Sequence, residues 1–475
     1  MGHLRAGIAS AEVPAPLGAD MVGFLRRYLP VGGYGQPLEV TALAVDDGER
    51  RVVIVGLDLL GTVEDDALKI RRAVADAADC SVDAVFVNSQ HTHAAPPPPS
   101  MLKLGGLTHG LTPVEVSYWE DLLEATGTVA ALAIDRLQPA RLGANVGELK
   151  GLTVNRRERS PAGTILGWNP DGPLDQTVSV LRFDTLKGEP IATVVNFACH
   201  PVVVGPDVDQ ASSDFVGSLR TAVRQWTGAD CLFLQGCGGN VLPLEAFMDF
   251  AGPEVDFGRR LALAALSSRF DAEVAPMRTE RSQYGSAVPI ARYRRVMTGE
   301  FDNRVDYEVA RVRLPLEPHP SLDGISAVRR ELEEKVRALK NAGAGPEQWN
   351  ALEIHSVWAA ATEEDIRTGT AADVISGPLQ VIRIGEVAIV GIPGEAFNEI
   401  GSRIKVASPA RFTLCCGYTN GALGYLPTTE EYPFGGYEVS VNHRHYGNPS
   451  PIAMGCDVIV QTTALEVLGR LFADR

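Results

Sequence analysis

The stretch 51–57, Arg-Val-Val-Ile-Val-Gly-Leu, is almost wholly apolar, as expected of a central strand covered on both faces. Its neighbours alternate in kind. Residues 38–45 form a strand before it, across the turn Asp46-Asp47-Gly48. Residues 65–77 have helical periodicity, and 82–87 are β-prone again. Strand, helix, strand is an α/β unit. Further strands are expected at 179–183, 191–197, 231–235, 306–314, 375–384, 387–392 and 412–416. Helices are expected at 116–134, 215–227, 254–268, 322–339, 348–364, 395–406 and 454–471. The expected fold class is α/β: a mixed central β-sheet with flanking helices, one domain over 1–475 with an α+β insertion at 275–370. That middle stretch holds few candidate catalytic residues and reads as a subdomain or cap with a structural role.

Composition narrows the partners. A chain of 475 residues, 45% hydrophobic and 21% charged, can bury a large core. Its net charge of −16 argues against nucleic acid and anionic membrane. The seven cysteines are odd in number and sit mostly in apolar runs. They read as reduced, buried thiols in a cytoplasmic protein. The start, Met1-Gly2-His3-Leu4, has no apolar core of signal-peptide length, and no apolar stretch is long enough to span a bilayer. No stable membrane association is expected.

Polar residues recur where apolar runs end. Residues 84–87 lead into Asn88-Ser89-Gln90-His91-Thr92-His93, and Pro96 to Pro99 follow. In extended backbone His91 and His93 share a face, so both imidazoles can enter one cavity, and the prolines stiffen the exit. Cys199-His200-Pro201 closes the 191–197 run, and Pro393-Gly394-Glu395 follows 387–392. Glu395 is expected in the first turn of a helix, where a dipole-friendly cap is the competing explanation. Asp58 ends the 51–57 run and is either a site residue or a turn and capping residue. Gln90, and Asn240 in the loop Gly236-Cys237-Gly238-Gly239-Asn240, are further pocket candidates. That loop lacks the Lys-Ser/Thr of a phosphate loop and is not a dinucleotide fingerprint. His109, in a glycine-rich loop, either reaches a site or sits in solvent. Two histidines and a carboxylate make a standard zinc donor set. A metallohydrolase therefore stands beside other enzyme classes and binding roles.

Taken together, the motifs resemble the neutral ceramidase family. They are Asn88 to His93, Asn155-Arg156, Asn169-Pro170-Asp171-Gly172-Pro173, Asn196-Phe197-Ala198-Cys199-His200-Pro201, Ser213-Asp214-Phe215, Pro393-Gly394-Glu395, and Gly424-Tyr425 through Thr429-Glu430-Glu431-Tyr432 with Tyr437-Glu438. They occur in the family's order, so the resemblance covers the catalytic domain from about residue 4 to 470. It implies one zinc ion held by His91, His200, Glu395 and Tyr425. It implies His93 beside the substrate oxygen, Arg156 orienting the substrate's polar end, and Tyr437 donating to a developing oxyanion. The implied reaction is hydrolysis of a carbon–nitrogen amide bond by metal-activated water.

The lipid-cleaving members of that family look secreted or membrane-associated and carry an extra immunoglobulin-like domain at the C-terminus. This chain is expected to lack that domain. Its loop at 236–240 departs from their Gly-Asp-x-Ser-Pro-Asn pattern, and four prolines replace their Ser/Gly-rich continuation after the triplet. The expected partner is therefore a small soluble amide. An ester, a lactone or N-acylsphingosine are the alternatives, with a non-catalytic binding protein after them. A homo-oligomer is left open, since α/β enzymes of this size are often dimers.

Overall fold

The computed structural model describes residues 4–24, 29–101, 110–247, 254–283, 287 and 290–473. His109 lies outside the described residues. Eight strands form one mixed sheet in two halves. One half is Arg5–Glu12, Glu39–Asp46, Arg51–Leu57 and Val85–Ser89. The other is Gln138–Glu148, Thr177–Thr185, Pro190–Phe197 and Asp230–Gln235. The pairs Arg5–Pro139 and Ala6–Gln138 join the halves. The sheet folds there, and its inner faces share one core. Phe86 and Phe183 both lie in it fully buried, each worth about 2 kcal/mol or more of transfer free energy. The halves come so close at Gly56 that a Cβ would stand 2.7 Å from Leu232 Cδ1.

Helices cover the outer faces, because alternate residues of the same strands are also apolar. Helices α1 (Glu64–Ala78) and α2 (Pro113–Asp135) pack on the first half. A capping box between Thr112 and Glu115, with Pro113 behind it, starts α2. Helices α3 (Phe215–Thr227) and α4 (Glu254–Asp271) cover the second half. A second sheet, ordered Val305–Pro315, Val374–Ile384, Val387–Gly391 and Phe412–Cys416, closes the shared core with Ile382, Ile384, Ile389 and Leu414. Its first two strands are antiparallel partners along their whole length, so Val305–Pro315 is integral to the sheet. The helical pair α5 (Leu322–Asn341) and α6 (Pro346–Thr368) is inserted between them. It has a small core of its own around Ile325, Leu332, Trp358 and Ala359. Helices α7 (Asn398–Ala407) and α8 (Cys456–Leu471) pack on the second sheet's outer face. The expected mixed α/β architecture is what the chain adopts.

Three parallel strand pairs position the site: Arg51–Leu57 with Val85–Ser89, Pro190–Phe197 with Asp230–Gln235, and Val387–Gly391 with Phe412–Cys416. Buried amides stitch their carboxyl ends together. Asn88 Nδ2 donates to Gly417 O at 2.7 Å, and Gln235 N donates to Asn88 Oδ1 at 2.7 Å. Asn196 Nδ2 donates to Leu234 O and Cys415 O. All seven cysteines are free, six of them buried. No helix among the described residues is long and apolar enough to cross a membrane.

Candidate functional site

His91, His200 and Glu395 each follow one of those three strand ends. His91 leaves the Val85–Ser89 strand with φ of +73°, a left-handed conformation that costs a non-glycine residue of order 1 kcal/mol. Its backbone N–H donates to Leu59 O, and its Nδ1–H donates to Leu60 O at 2.5 Å. His200 Nδ1–H donates to Gly238 O at 2.6 Å. With Nδ1 carrying the proton, both Nε2 lone pairs face inward. Each stands 3.2 Å from Glu395 Oε2. Acceptors facing one another at that distance repel unless a proton or a cation lies between them. His93 Nε2 is 3.2 Å from His91 Nε2, and Tyr425 OH is 3.3 Å from His200 Nε2. Tetrahedral zinc with N and O ligands has edges of about 3.3 Å. The donor set therefore fits such an ion in both chemistry and spacing. His91, His93 and His200 together form a group able to hold a metal.

Glu395 does not lie in a helix. It begins a two-residue strand, Glu395–Ala396, paired in parallel with Tyr425–Leu426, and α7 starts only at Asn398. Glu395 N donates to Gly424 O and Phe397 N to Leu426 O, so the backbone is extended where a first helical turn was expected. That register makes Glu395 and Tyr425 direct partners, with adjacent side chains on one face. Tyr446 OH donates to Glu395 Oε1, and Tyr418 OH donates to Oε2 at 3.3 Å. Both phenols hold the carboxylate in orientation.

Burial lowers the His200 pKa to about 4, helped by the Arg156 guanidinium, so the ring is neutral at neutral pH. Burial raises the Glu395 carboxyl, but positive charge on the facing His91 and His200 side outweighs it and holds the pKa well below the ordinary value, as a bound cation at that point would. Burial pushes the Tyr425 phenol well above 10, with Arg156 pulling the other way. Arg156 itself stays charged: burial opposes the charge, and Tyr425 and Glu438 more than restore it. Its Nε donates to Glu438 Oε1 at 2.6 Å, and its Nη1 lies 3.1 Å from His200 Nε2. Its Nη2 is buried with no hydrogen-bond partner among the described residues.

These groups line one cavity of about 370 Å³, with His91, His93, Arg156, His200, Glu395, Tyr425 and Tyr437 on its floor. Phe24, Leu60, Leu166, Val202, Pro206 and Leu242 form apolar walls. Asp58, Gln90 and Asn240, expected in the pocket, are not in its lining. Asp58 is clamped by Arg220 and accepts from Glu39 N. Gln90 Nε2 donates to Ser213 O, and Gln235 Nε2 donates to the Gln90 carbonyl. Asn240 bonds Glu399, Asn398 and, through its carbonyl, Arg156 N. All three serve the framework behind the site.

Sequence reasoning missed Tyr418, Tyr446, His445 and Glu438. Glu438 pairs at once with Arg156 and Arg157, at 2.6 and 2.7 Å. Tyr437 OH lies 3.2 Å from His445 Nδ1, and His445 Nε2 lies 3.0 Å from His355 Nε2 on α6. His445 itself lines the cavity, so the middle region expected to be structural reaches within one hydrogen bond of it. The one available signal was the density of aromatic and histidine residues over 432–446.

No protein-family model matches the chain. The neutral ceramidase of Pseudomonas aeruginosa is 24% identical over 91% of this chain and 68% of that protein. The neutral ceramidase of Mycobacterium tuberculosis is 39% identical over 61 residues, 12% of this chain and 10% of that protein. Among solved structures, the neutral ceramidase from P. aeruginosa superposes with a TM-score of 0.68 at 20% identity, covering 99% of this chain and 75% of that one. A ceramidase complexed with C2 gives 0.68 at 19% identity. The chain is similar in sequence to these neutral ceramidases and has their fold.

Proposed function

We propose that the chain is a metal-dependent hydrolase that cleaves the amide C–N bond of a small compound with an apolar N-acyl group. The observation that carries this reading is the approach of His91 Nε2 and His200 Nε2 to Glu395 Oε2, each at 3.2 Å, with both tautomers set by backbone carbonyls. Ceramidases, the similar proteins, are named for an amide substrate. The cavity volume lies at the small end of ligand pockets, which run from about 300 to 1,000 Å³. Its apolar walls suit an acyl chain.

His91, His200, Glu395 and Tyr425 would hold zinc, which supplies a Lewis acid for the carbonyl and lowers the pKa of water. The chain's own residues do the rest. Arg156, charged and with Nη2 unpaired, offers its free N–H to the carbonyl oxygen. Tyr437, at the cavity floor, donates to the same oxygen as negative charge develops there. His93, half-buried beside Phe24, is the least enclosed of the three imidazoles and faces the substrate. It carries the proton to the leaving amine. The apolar walls exclude water around the acyl group, which strengthens each of these bonds.

The test is a panel of N-acyl amides and esters sharing one acyl chain, assayed with stripped and zinc-restored protein. Amide turnover that depends on zinc is expected. Amide turnover at the background rate beside rapid ester cleavage overturns the amide reading and leaves an esterase.

A further inference from the structure

One line of hydrogen-bonding groups leaves the cavity and ends on the inserted helices. Tyr437 OH meets His445 Nδ1 at 3.2 Å, and His445 Nε2 meets His355 Nε2 at 3.0 Å. The two ring centroids stand 5.0 Å apart with an interplanar angle of 29°. Three residues on from His355, Trp358 Nε1 donates to Asn448 O at 2.8 Å, and the indole stands edge-on to His443. Residues three apart share a helix face, so α6 docks on the 437–448 segment through His355 and Trp358 together.

Burial pushes the His355 pKa down to about 4 and the His445 pKa down to about 3, so both rings are neutral at neutral pH. A neutral imidazole has one N–H and one lone pair. Two such rings in contact must therefore run their hydrogen bonds in one direction, and the Tyr437 bond runs with them.

We propose that His355 and His445 are positioning residues that set the direction of the Tyr437 hydroxyl. His355 Nε2–H donates to His445 Nε2, and His445 Nδ1–H donates to the Tyr437 oxygen. The phenolic hydrogen is then released from the protein and points into the cavity. With the opposite direction, Tyr437 would give that hydrogen to His445 and have none for a substrate oxygen. This choice of direction rests on the hydrolytic reading above. It makes the inserted pair α5–α6 part of the active site.

Two measurements test it. In the full-length protein with 15N-labelled histidine, nitrogen shifts and two-bond proton couplings report each tautomer. His445 protonated on Nδ1 and His355 on Nε2 is the expected pair. His445 protonated on Nε2 overturns the proposal. This readout uses no substrate, so it decides the direction even if no amide is turned over, a result that would defeat the hydrolytic reading alone. In turnover, His445→Leu is expected to lower kcat about 10- to 100-fold with KM little changed, the usual effect of losing an orienting partner. His445→Asn, which keeps an N–H near the Nδ1 position, and His355→Gln, which keeps one near Nε2, each retain most of the wild-type rate. In a Tyr437→Phe background, His445→Leu costs nothing further. An equal loss in both backgrounds overturns the proposal.

Discussion

The two halves of the site are built by different means. His91, His200 and Arg156 come from the sheets. Asn88, Asn196 and Gln235 cross-link the strand ends that bear the two histidines. Tyr437, His445 and Tyr446 come from a segment with short 3-10 and π turns. It bends at Gly424, Gly435 and Gly436, all with positive φ. What holds this segment is charge and docking: Glu438 to Arg156 and Arg157, Glu431 to Arg157 and Arg159, and α6 against His443 and His445. The difference separates two tasks. A metal needs donors fixed to a few tenths of an ångström, which cross-linked strand ends supply. Tyr437, the proposed oxyanion donor, sits on the segment that other parts of the chain can adjust.

Removing a sheet-borne donor should have the largest effect. His91→Ala or His200→Ala is expected to lose the metal and at least about 10³-fold in amide turnover, while far-ultraviolet dichroism stays unchanged. Retained zinc in both variants would move the metal centre elsewhere. The loop-borne half should fail through stability. Glu438→Gln leaves two buried guanidiniums short of a counter-charge, at a cost of about 3–5 kcal/mol by urea unfolding. A loss below 1 kcal/mol would show that the segment is held by something else. Tyr437→Phe should keep the metal and lose about 10²-fold in kcat, the usual effect of removing one oxyanion donor. Loss of zinc in that variant would erase the proposed division of labour.

The smallest effect concerns pH. His355, His443 and His445 have folded-state values of about 4, 3 and 3, below the roughly 6.5 of an unfolded chain. Desolvation is the leading cause in each. Between those values the unfolded state binds more protons, so stability is complete above about pH 6.5 and falls as the pH drops toward 4. Melting temperature followed across that window should decline, and His443→Leu should flatten the slope. A melting temperature that rises on acidification contradicts the assignment.

The division also explains what the sequence revealed. His91 and His200 were legible because an apolar run ending in a polar residue is a local signal. The strands beneath them were legible for the same reason. Asp58, Gln90 and Asn240 carry that signal too, yet they turn inward to Arg220, Ser213 and Glu399. Local pattern marks the end of a strand and says nothing of which way the side chain points. Glu395 was found but placed in the wrong element. Its pairing partner, Tyr425, lies 30 residues on, and a two-residue ladder leaves no periodicity. Tyr425 entered only through the family resemblance, and the register now supplies its physical reason. His355 gave no sign, because its partner stands 90 residues away in sequence.

The most direct test of the metal centre is a calorimetric titration of zinc into chelator-stripped, full-length protein, with amide turnover followed in parallel. The arrangement of His91, His200, Glu395 and Tyr425 predicts about one equivalent bound tightly, with turnover returning in step, and no such binding in Glu395→Gln. A stripped protein that hydrolyses amides at full rate, or a Glu395→Gln variant that binds zinc as the wild type does, would contradict it.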